Sequence, residues 1–269
     1  MKIGLALGGG GFKGAAHTGI LEQLEKFRIK PEIISGVSAG AIVGLLFCEG
    51  GSALVEKFFY ELDSREIVSR KNIFKQKNPD KILLQIGDLL KELVKTKDIK
   101  DLKVKFITAA TDLVSGELIV FESGDPVSAV LASSSYPGVF SCSNREGMIL
   151  ADGGILNNLP ADLLKNRGAE FIIGSCLNSL SKLDTEKITR ATTLSRSIEI
   201  MTNDSDRHQI EICDYVFSPP LNNFKWYSFE HSADMMHIGR VYAGEHIDDL
   251  MAEIYKKTPK NLIEKILGK

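Results

Sequence analysis

The sequence predicts an α/β protein, a three-layer α/β/α sandwich with a mostly parallel central sheet. Short apolar segments of strand length alternate along the chain with longer segments of helical periodicity. Four consecutive glycines follow the first apolar segment, and a Gly-x-Ser-x-Gly pentapeptide follows the second. Ligands of such sheets bind outside the carboxyl ends of the strands, so both glycine motifs are expected at a binding edge.

The predicted elements form a single domain of residues 1–257, and residues 258–269 form a peripheral C-terminal tail. Strands are predicted from short apolar runs, at residues 3–8, 32–37, 104–111, 117–121, 147–151, 170–176 and 213–217. Helices are predicted in the intervening segments, at residues 15–27, 39–49, 53–62, 80–96, 126–133, 160–167, 188–203 and 231–257.

The composition is that of an ordinary globular protein, with 43% hydrophobic and 25% charged residues. No apolar run is long enough to span a bilayer, and no signal-peptide stretch precedes the first strand. The cysteines are scattered and form no C-x-x-C, which argues against a zinc site and a disulfide framework (Cys48, Cys142, Cys176 and Cys213). We therefore expect reduced thiols and a cytoplasmic location. A pI of about 6.2 and the lack of a nucleic-acid-binding motif with interleaved aromatic residues argue against nucleic acid as a partner.

The glycine-rich loop Gly8–Gly14 follows the first predicted strand and opens a helix. Backbone N–H groups of such a loop can point into one concavity and hold a negative oxygen, as an oxyanion hole does. Lys13 either binds an anionic group or braces the loop by donating to its carbonyls, and we favour bracing. An alternative is nucleotide binding, because residues 9–14 match G-x-G-x-x-G. That fingerprint requires an acidic residue at the end of the second strand, whereas Glu32 falls at its beginning.

Ser38 stands in Gly36-Val37-Ser38-Ala39-Gly40, the G-x-S-x-G pattern of a nucleophile elbow. A strand enters this turn and a helix leaves it, so the hydroxyl is expected at the top of the sheet. Side chains at Gly36 or Gly40 would crowd the backbone where strand and helix nearly touch. The helix N-terminus adds partial positive charge beside an anion formed at Ser38. The alternative is a helix N-cap serine flanked by glycines.

A third motif begins at Asp152, which follows the predicted strand 147–151 and precedes Gly153 and Gly154. A helix is expected to begin near Pro160. Taken alone, this pattern is typical of a plain Asp-Gly turn.

Together, the three motifs resemble those of the patatin-like phospholipases in order and in spacing. The likeness extends to Ala110-Thr111-Asp112-Leu113 and to the segment from Ala132 to Phe140. It covers most of residues 1–175 and, more weakly, 205–245, and the chain resembles the compact bacterial branch of the family.

The resemblance implies a Ser-Asp dyad, in which Ser38 is the nucleophile and Asp152 accepts its proton. It implies that the backbone of Gly9, Gly10 and Gly11 forms the oxyanion hole. The motifs are completed by Phe12, Lys13, Gly14, Gly36, Gly40, Gly153 and Gly154. The implied activity is hydrolysis of fatty acyl esters of lipids, of phospholipase A, lysophospholipase or esterase type, with no metal or organic cofactor.

Two other interpretations of the site stay open. A Ser-Asp-His triad needs a histidine after Asp152, and the candidates stand in charged or helical segments (His208, His231, His237 and His246). His17 lies one turn past the glycine loop and is expected to be a helix residue. The other interpretation is an inactive hydrolase-fold interaction module, against which the intact Ser38 and Asp152 weigh.

Residues 65–105 carry twelve Lys or Arg against six Asp or Glu, although the whole chain has a formal net charge of −2. Within this basic stretch, helix 80–96 is amphipathic. One hypothesis is that this helix is a lid or docks on an anionic membrane surface, with anionic phospholipid as a partner and peripheral contact at the inner membrane. The alternative, which we favour, is packing of its apolar stripe on its own domain.

Overall fold

The computed structural model describes residues 1–65, 78–178, 188–227 and 229–258. The strands are β1 Ile3–Leu7, β2 Ile33–Gly36, β3 Lys105–Asp112, β4 Leu118–Phe121, β5 Ser143–Arg145, β6 Met148–Asp152, β7 Phe171–Ser175 and β8 Tyr215–Phe217. The helices are α1 Ala15–Lys26, α2 Ala39–Gly50, α3 Ser52–Ser64, α4 Asp80–Leu93, α5 Pro126–Ser133, α6 Ala161–Lys165, α7 Arg190–Ile210 and α8 Ser232–Lys257. The predicted tail lies outside the described residues apart from Thr258.

The strands form one sheet in the order β5-β6-β3-β2-β1-β7-β8, and β4 pairs with β3. Strands β3, β2, β1, β7 and β8 are parallel, while β4, β5 and β6 join antiparallel at one side. The predicted α/β sandwich with a mostly parallel sheet is therefore confirmed. Strand β5 was not predicted. It pairs with β6 through a two-residue turn, in which Glu146 and Gly147 have φ values of 52° and 86°.

Both faces of the sheet are covered, because alternate residues of its strands enter two separate cores. In β1, Leu5 and Leu7 pack into the larger core with α1–α5 and α8, whereas Ala6 packs into the smaller core beneath α6. This near-continuous burial is typical of strands in a parallel sheet. None of the helices in the described part of the chain is long and apolar enough to cross a membrane.

Helix α4 ends three residues before the prediction and buries its apolar face. Ile82, Ile86, Leu89 and Leu90 belong to the larger core, and α4 packs against α3 and α5. The apolar stripe of this helix thus packs on its own domain, as the favoured alternative expects, so contact of α4 with a membrane would have to use its exposed face. Helix α7 extends to Ile210, seven residues beyond its predicted end.

Helices α1 and α8 cross at a close contact that two glycines permit. A Cβ at Gly19 would lie 2.2 Å from the Met236 carbonyl oxygen, and a Cβ at Gly239 would lie 2.1 Å from the Ala16 carbonyl oxygen. Neither carbonyl can move without shifting its helix, so the crossing distance is set by these two residues.

We expect Gly239→Ala to lower the free energy of unfolding by at least about 2 kcal/mol, since its methyl group would force the helices apart. Gly244→Ala on the same helix is the matched control, because its Cβ would meet nothing closer than 3.7 Å. There alanine should raise stability by about 0.5–1 kcal/mol through helix propensity. Urea unfolding of both variants measures the difference, and equal effects would contradict the close-contact account.

Candidate active site

Ser38 lies at the tight turn between β2 and α2, in a conformation rare for a side-chain-bearing residue. Its φ is 54° and its ψ is −124°. A Cβ at Gly36 would lie 2.2 Å from the Gly40 carbonyl oxygen, and one at Gly40 would lie 2.1 Å from that of Leu7. The expected crowding of strand and helix is confirmed. Such strain persists only where the surrounding structure enforces it, and it is concentrated at functional sites.

Two serines at the end of α5 hold the Ser38 backbone in this conformation. The Ser38 N–H lies 3.1 Å from the Ser133 Oγ, and the Ser134 hydroxyl donates to the Ser38 carbonyl oxygen at 3.2 Å. Both serine side chains are buried, so these contacts exchange little with water. Sequence reasoning missed this support, although a run of three serines closing an apolar helix is a usable signal.

Asp152 ends β6 opposite Ala110 of β3, close to the level at which β2 leaves the sheet towards Ser38. The Gly154 N–H donates to its Oδ1 at 2.8 Å, and Thr111 Oγ1 donates to its backbone carbonyl at 3.0 Å. Gly153 must be glycine, because a Cβ there would lie 2.2 Å from the Ala109 carbonyl oxygen. The Asp152 carboxyl group is thus held by a hydrogen bond at Oδ1.

The second carboxyl oxygen of Asp152, Oδ2, is buried and has no hydrogen-bond partner among the described residues. Burial raises the pKa of Asp152 from 3.8 to about 6, while the Ser38 side chain and the Gly154 N–H act to lower it. The Ser38 hydroxyl is therefore close enough to act on this carboxyl, although their contact falls short of hydrogen-bond geometry. An unpaired buried carboxyl oxygen beside a serine hydroxyl is arranged to accept a proton.

The glycine-rich loop lies against Ser38, and its backbone N–H groups differ in whether they have a hydrogen-bond acceptor. The Gly9 N–H donates to the Asn158 carbonyl oxygen at 3.1 Å, so this group, expected as an oxyanion donor, is engaged elsewhere. The N–H groups of Gly10, Gly11 and Ala39 have no acceptor in the described part of the chain. Gly9 serves by its lack of a side chain, since a Cβ there would lie 3.1 Å from the Ser38 Cβ.

Contacts on both sides fix the loop. The Phe12 N–H donates to the Trp226 carbonyl oxygen at 2.8 Å, and the Phe12 ring packs edge-on against Phe229 at 5.4 Å. Gly11 has a φ of 57°, and a Cβ there would collide with the same Trp226 carbonyl. Gly14 lies directly against the Ala39 side chain, where α1 begins. The loop is therefore clamped between the start of α2 and the segment that contains Trp226.

His17 lies beneath the loop and is fully buried. Its Nε2 donates to the Gly8 carbonyl oxygen at 2.9 Å, and its Nδ1 accepts from the Ser175 hydroxyl at 2.8 Å. Burial lowers the pKa of His17 to about 4, so the ring is neutral near pH 7. The expectation that His17 is a helix residue is confirmed, and its role here is to support the loop.

Lys13 is buried at the edge of the site. Its ammonium group forms no hydrogen bond or ion pair with a described residue, so the favoured idea that it braces the loop through carbonyls finds no support. Burial lowers the pKa of Lys13, and the negative charge of Glu199 opposes that shift. The Lys13 side chain lines the cavity that contains Ser38.

A cavity of about 820 Å³ contains Ser38 and Asp152. Its apolar wall comes from α2, α3, α4 and the segment after α5, and consists of Ile42, Phe58, Phe59, Leu62, Leu83, Ile86 and Phe140. Further lining comes from α7 and residues 222–227, which add polar side chains (Arg196, Glu199, Asn203, Asn222 and Lys225) together with apolar and aromatic ones (Ile198, Phe224, Trp226 and Tyr227). A largely apolar pocket with a few polar groups suits an amphipathic small molecule.

Several alternatives are disfavoured by this geometry. Glu32 is exposed at the amino end of β2, the edge of the sheet opposite the glycine loop, so it cannot hold a ribose there. All five histidines are described, and none of them lines the cavity. His208 and His237 are exposed, His231 pairs with Asp234 on the surface, and His246 bonds the Tyr242 carbonyl. Within the described ranges, no cluster of acidic, histidine or cysteine side chains is suited to a metal ion.

Asp152→Asn is expected to change stability in a pH-dependent way. Because the folded pKa of about 6 exceeds the ordinary 3.8, ionisation of buried Asp152 destabilises the fold as the pH rises through this window. Asparagine retains the acceptor for the Gly154 N–H and removes the charge. Relative to wild type, the variant should gain up to about 3 kcal/mol between about pH 4 and pH 7. Denaturant unfolding across this range measures it, and a difference independent of pH would refute the buried-charge account.

Comparison with known proteins points to one family. The family described as patatin-like phospholipase matches residues 5–165. The neuropathy target esterase of Drosophila melanogaster is 32% identical over 199 residues, which cover 68% of this chain and 13% of the fly protein. An uncharacterised NTE family protein of Mycobacterium bovis is 32% identical over 184 residues, covering 66% of this chain and 49% of that protein. The matched region thus spans a small part of the animal relatives and about half of the mycobacterial one.

Among solved structures, VipD from Legionella pneumophila superposes with a TM-score of 0.54 at 15% identity, over 92% of this chain and 67% of that one. At this identity the likeness concerns the fold. The family match covers both halves of the site, from the glycine loop and Ser38 to Asp152. The chain belongs to the patatin-like phospholipase family.

Proposed function

We propose that this protein is a serine acyl hydrolase that cleaves fatty acyl ester bonds of lipids through a Ser38–Asp152 dyad and an acyl-enzyme. The observation that carries the proposal is the pairing of a strained, fixed serine with a buried carboxyl oxygen that has no other partner, in one apolar cavity. Membership of a lipid hydrolase family supports it, as do relatives named as esterases and phospholipases.

In the first half-reaction, Asp152 Oδ2 accepts the proton of the Ser38 hydroxyl while Ser38 Oγ bonds to the ester carbonyl carbon. A pKa near 6 leaves the carboxylate ionised at neutral pH and more basic than an ordinary aspartate. The carbonyl oxygen becomes an oxyanion, for which the free N–H groups of Gly10, Gly11 and Ala39 are the proposed donors. The N-terminus of α2 adds favourable potential at Ser38.

Collapse of this intermediate breaks the bond to the alcohol oxygen, which leaves with the proton held by Asp152. The acyl group stays on Ser38. In the second half-reaction, a water molecule gives a proton to Asp152 while the water oxygen attacks the acyl carbon. The bond between this carbon and Ser38 Oγ then breaks, Asp152 returns the proton to Ser38 Oγ, and the fatty acid is released. No other reactant is needed, so the balance of atoms is that of ester hydrolysis.

The lining of the cavity suggests how a lipid ester would lie. The aromatic and aliphatic side chains of α3 and α4 would cover the acyl chain, which gains from leaving water. The alcohol part would contact the polar side chains that α7, residues 222–227 and Lys13 bring to the cavity. This arrangement favours substrates with an apolar acyl group and a polar head, including anionic phospholipids.

Ser38→Ala and Asp152→Asn are expected to lower ester hydrolysis by about three orders of magnitude or more, because each removes one half of a unit that acts together. The measurement is turnover of short and long p-nitrophenyl acyl esters and of phospholipid vesicles. Variants His208→Ala, His231→Ala, His237→Ala and His246→Ala serve as controls and should retain activity.

A large loss at one of these histidines, with folding intact, would replace the dyad by a triad. Full activity in Ser38→Ala would refute the proposal, since the elbow would then be a structural turn. A wild-type protein that hydrolyses none of these esters would favour the inactive interaction module instead.

Contact with a membrane surface is part of the proposal, because the substrate resides in bilayers. Helix α4 contributes Leu83 and Ile86 to the cavity lining, and it carries the exposed Lys81 and Lys91, with the exposed Lys95 just after its end. Lys91 lies 3.6 Å from Asp88, so its attraction to anionic lipid is expected to be smaller than the roughly 1 kcal/mol of an unpaired surface lysine. A cytoplasmic location with peripheral contact at the inner membrane surface stays a prediction.

Reversal of these three lysines to glutamate should weaken binding to vesicles containing phosphatidylglycerol by about tenfold or more. The matched control reverses Lys26, Lys30 and Lys165, exposed lysines at the amino edge of the parallel strands, far from the cavity. Vesicle flotation at low salt measures both. Equal losses in the two triple variants would indicate a net-charge effect and exclude α4 as the docking element.

A further inference from the structure

Asp206 is a buried acid that the proposed mechanism does not use. It lies in α7 among exposed charged residues, yet its side chain is only 1% exposed. Asn158 Nδ2 lies 3.1 Å from both of its carboxyl oxygens, and the Cys176 thiol points to Oδ2 at 3.9 Å. No cation in the described part of the chain acts on its pKa, which burial raises to about 6.

A carboxylate buried without a cation is destabilising, and a well-packed apolar residue would cost less. Asp206 accepts hydrogen bonds from Asn158 and from the Cys176 thiol, and the Asn178 side chain is near enough to lower its pKa as well. The carboxylate therefore orients the Asn158 side chain and faces that of Asn178. An apolar residue in place of Asp206 could do neither.

Both asparagines bind the glycine-rich loop at Gly9. The backbone carbonyl of Asn158 accepts from the Gly9 N–H at 3.1 Å, and Asn178 Nδ2 donates to the Gly9 carbonyl oxygen at 3.3 Å. The Asn158 Oδ1 atom also lies against Gly9 and Gly154, at 2.4 and 2.8 Å from the positions that their Cβ atoms would take. The N–H and the carbonyl of Gly9 are thus bonded by two residues, Asn158, which donates to Asp206, and Asn178, whose side chain Asp206 faces.

We infer that Asp206 is a positioning residue for the oxyanion hole: through Asn158 and Asn178 it fixes Gly9, and so keeps the Gly10 and Gly11 N–H groups at the Ser38 side of the cavity. Asn158 follows Asp152 by six residues, so the same carboxylate also steadies the turn that bears the base. This inference deepens the proposed function and rests on it for its catalytic part.

Asp206→Asn tests the inference with little change of volume, and Asp204→Asn is the control, since Asp204 is exposed on the same helix. The amide introduced by Asp206→Asn would turn a donor towards Asn158, Asn178 or Cys176, so the loop should loosen. We expect kcat for a p-nitrophenyl ester to fall by about 10- to 100-fold with KM nearly unchanged, as for a modest misplacement of catalytic groups. Asn178→Ala, which removes the bond to the Gly9 carbonyl and leaves the bonds from Asn158 to Asp206 in place, should give a smaller loss of the same kind.

A second readout does not depend on activity. Hydrogen exchange of the peptide covering residues 4–14 should be faster in Asp206→Asn than in wild type and in Asp204→Asn. Unchanged exchange, or unchanged kcat in a folded Asp206→Asn protein, would overturn the inference. If wild-type protein hydrolyses no ester, the proposed function fails, and the exchange measurement still decides whether Asp206 holds the loop.

Discussion

The constraint on which the rest of the structure depends is the close approach of β1, β2 and the first turn of α2. At Gly40 there is no room for a side chain beneath the Leu7 carbonyl, and at Gly36 the backbone of the helix occupies the space. This contact forces Ser38 into its positive φ and directs the chain from strand to helix without a loop. The glycine loop that follows Leu7 is thereby brought to the same point, because β1 and β2 are parallel neighbours.

The site is built from carboxyl groups that the fold would be more stable without. Asp152 and Asp206 are both buried, neither has a cationic partner among the described residues, and burial raises the pKa of each to about 6. One of them faces a serine hydroxyl, and the other faces two amides that touch the glycine loop. A natural enzyme accepts such local destabilisation where a preorganised polar site requires it. The apolar cores on the two faces of the sheet offset the destabilisation that these two buried carboxyl groups cause.

The sequence predicted the structure best where the residues of a segment themselves require its backbone geometry. The strand, turn and helix around Ser38 could be predicted because glycines and apolar runs mark them directly. Strand β5 could not, since Ser143-Asn144-Arg145 has no apolar alternation and is held only by its pairing with β6. The last third of α7, residues 204–210, was missed for a related reason. It is polar in sequence and is joined to the domain by side-chain hydrogen bonds, such as that from the Asp162 N–H to Gln209 Oε1. Long-range partners of this kind, Asp206 with Asn158 among them, leave no local pattern.

The composition of the cavity has a further consequence. The family match ends at residue 165, yet many polar side chains of the cavity come later, from α7 and residues 222–227. The proposed reacting groups, Ser38 and Asp152, lie within the matched part of the chain. On the proposed function, changes confined to the later segment would alter which esters are accepted and leave the bond-breaking groups in place.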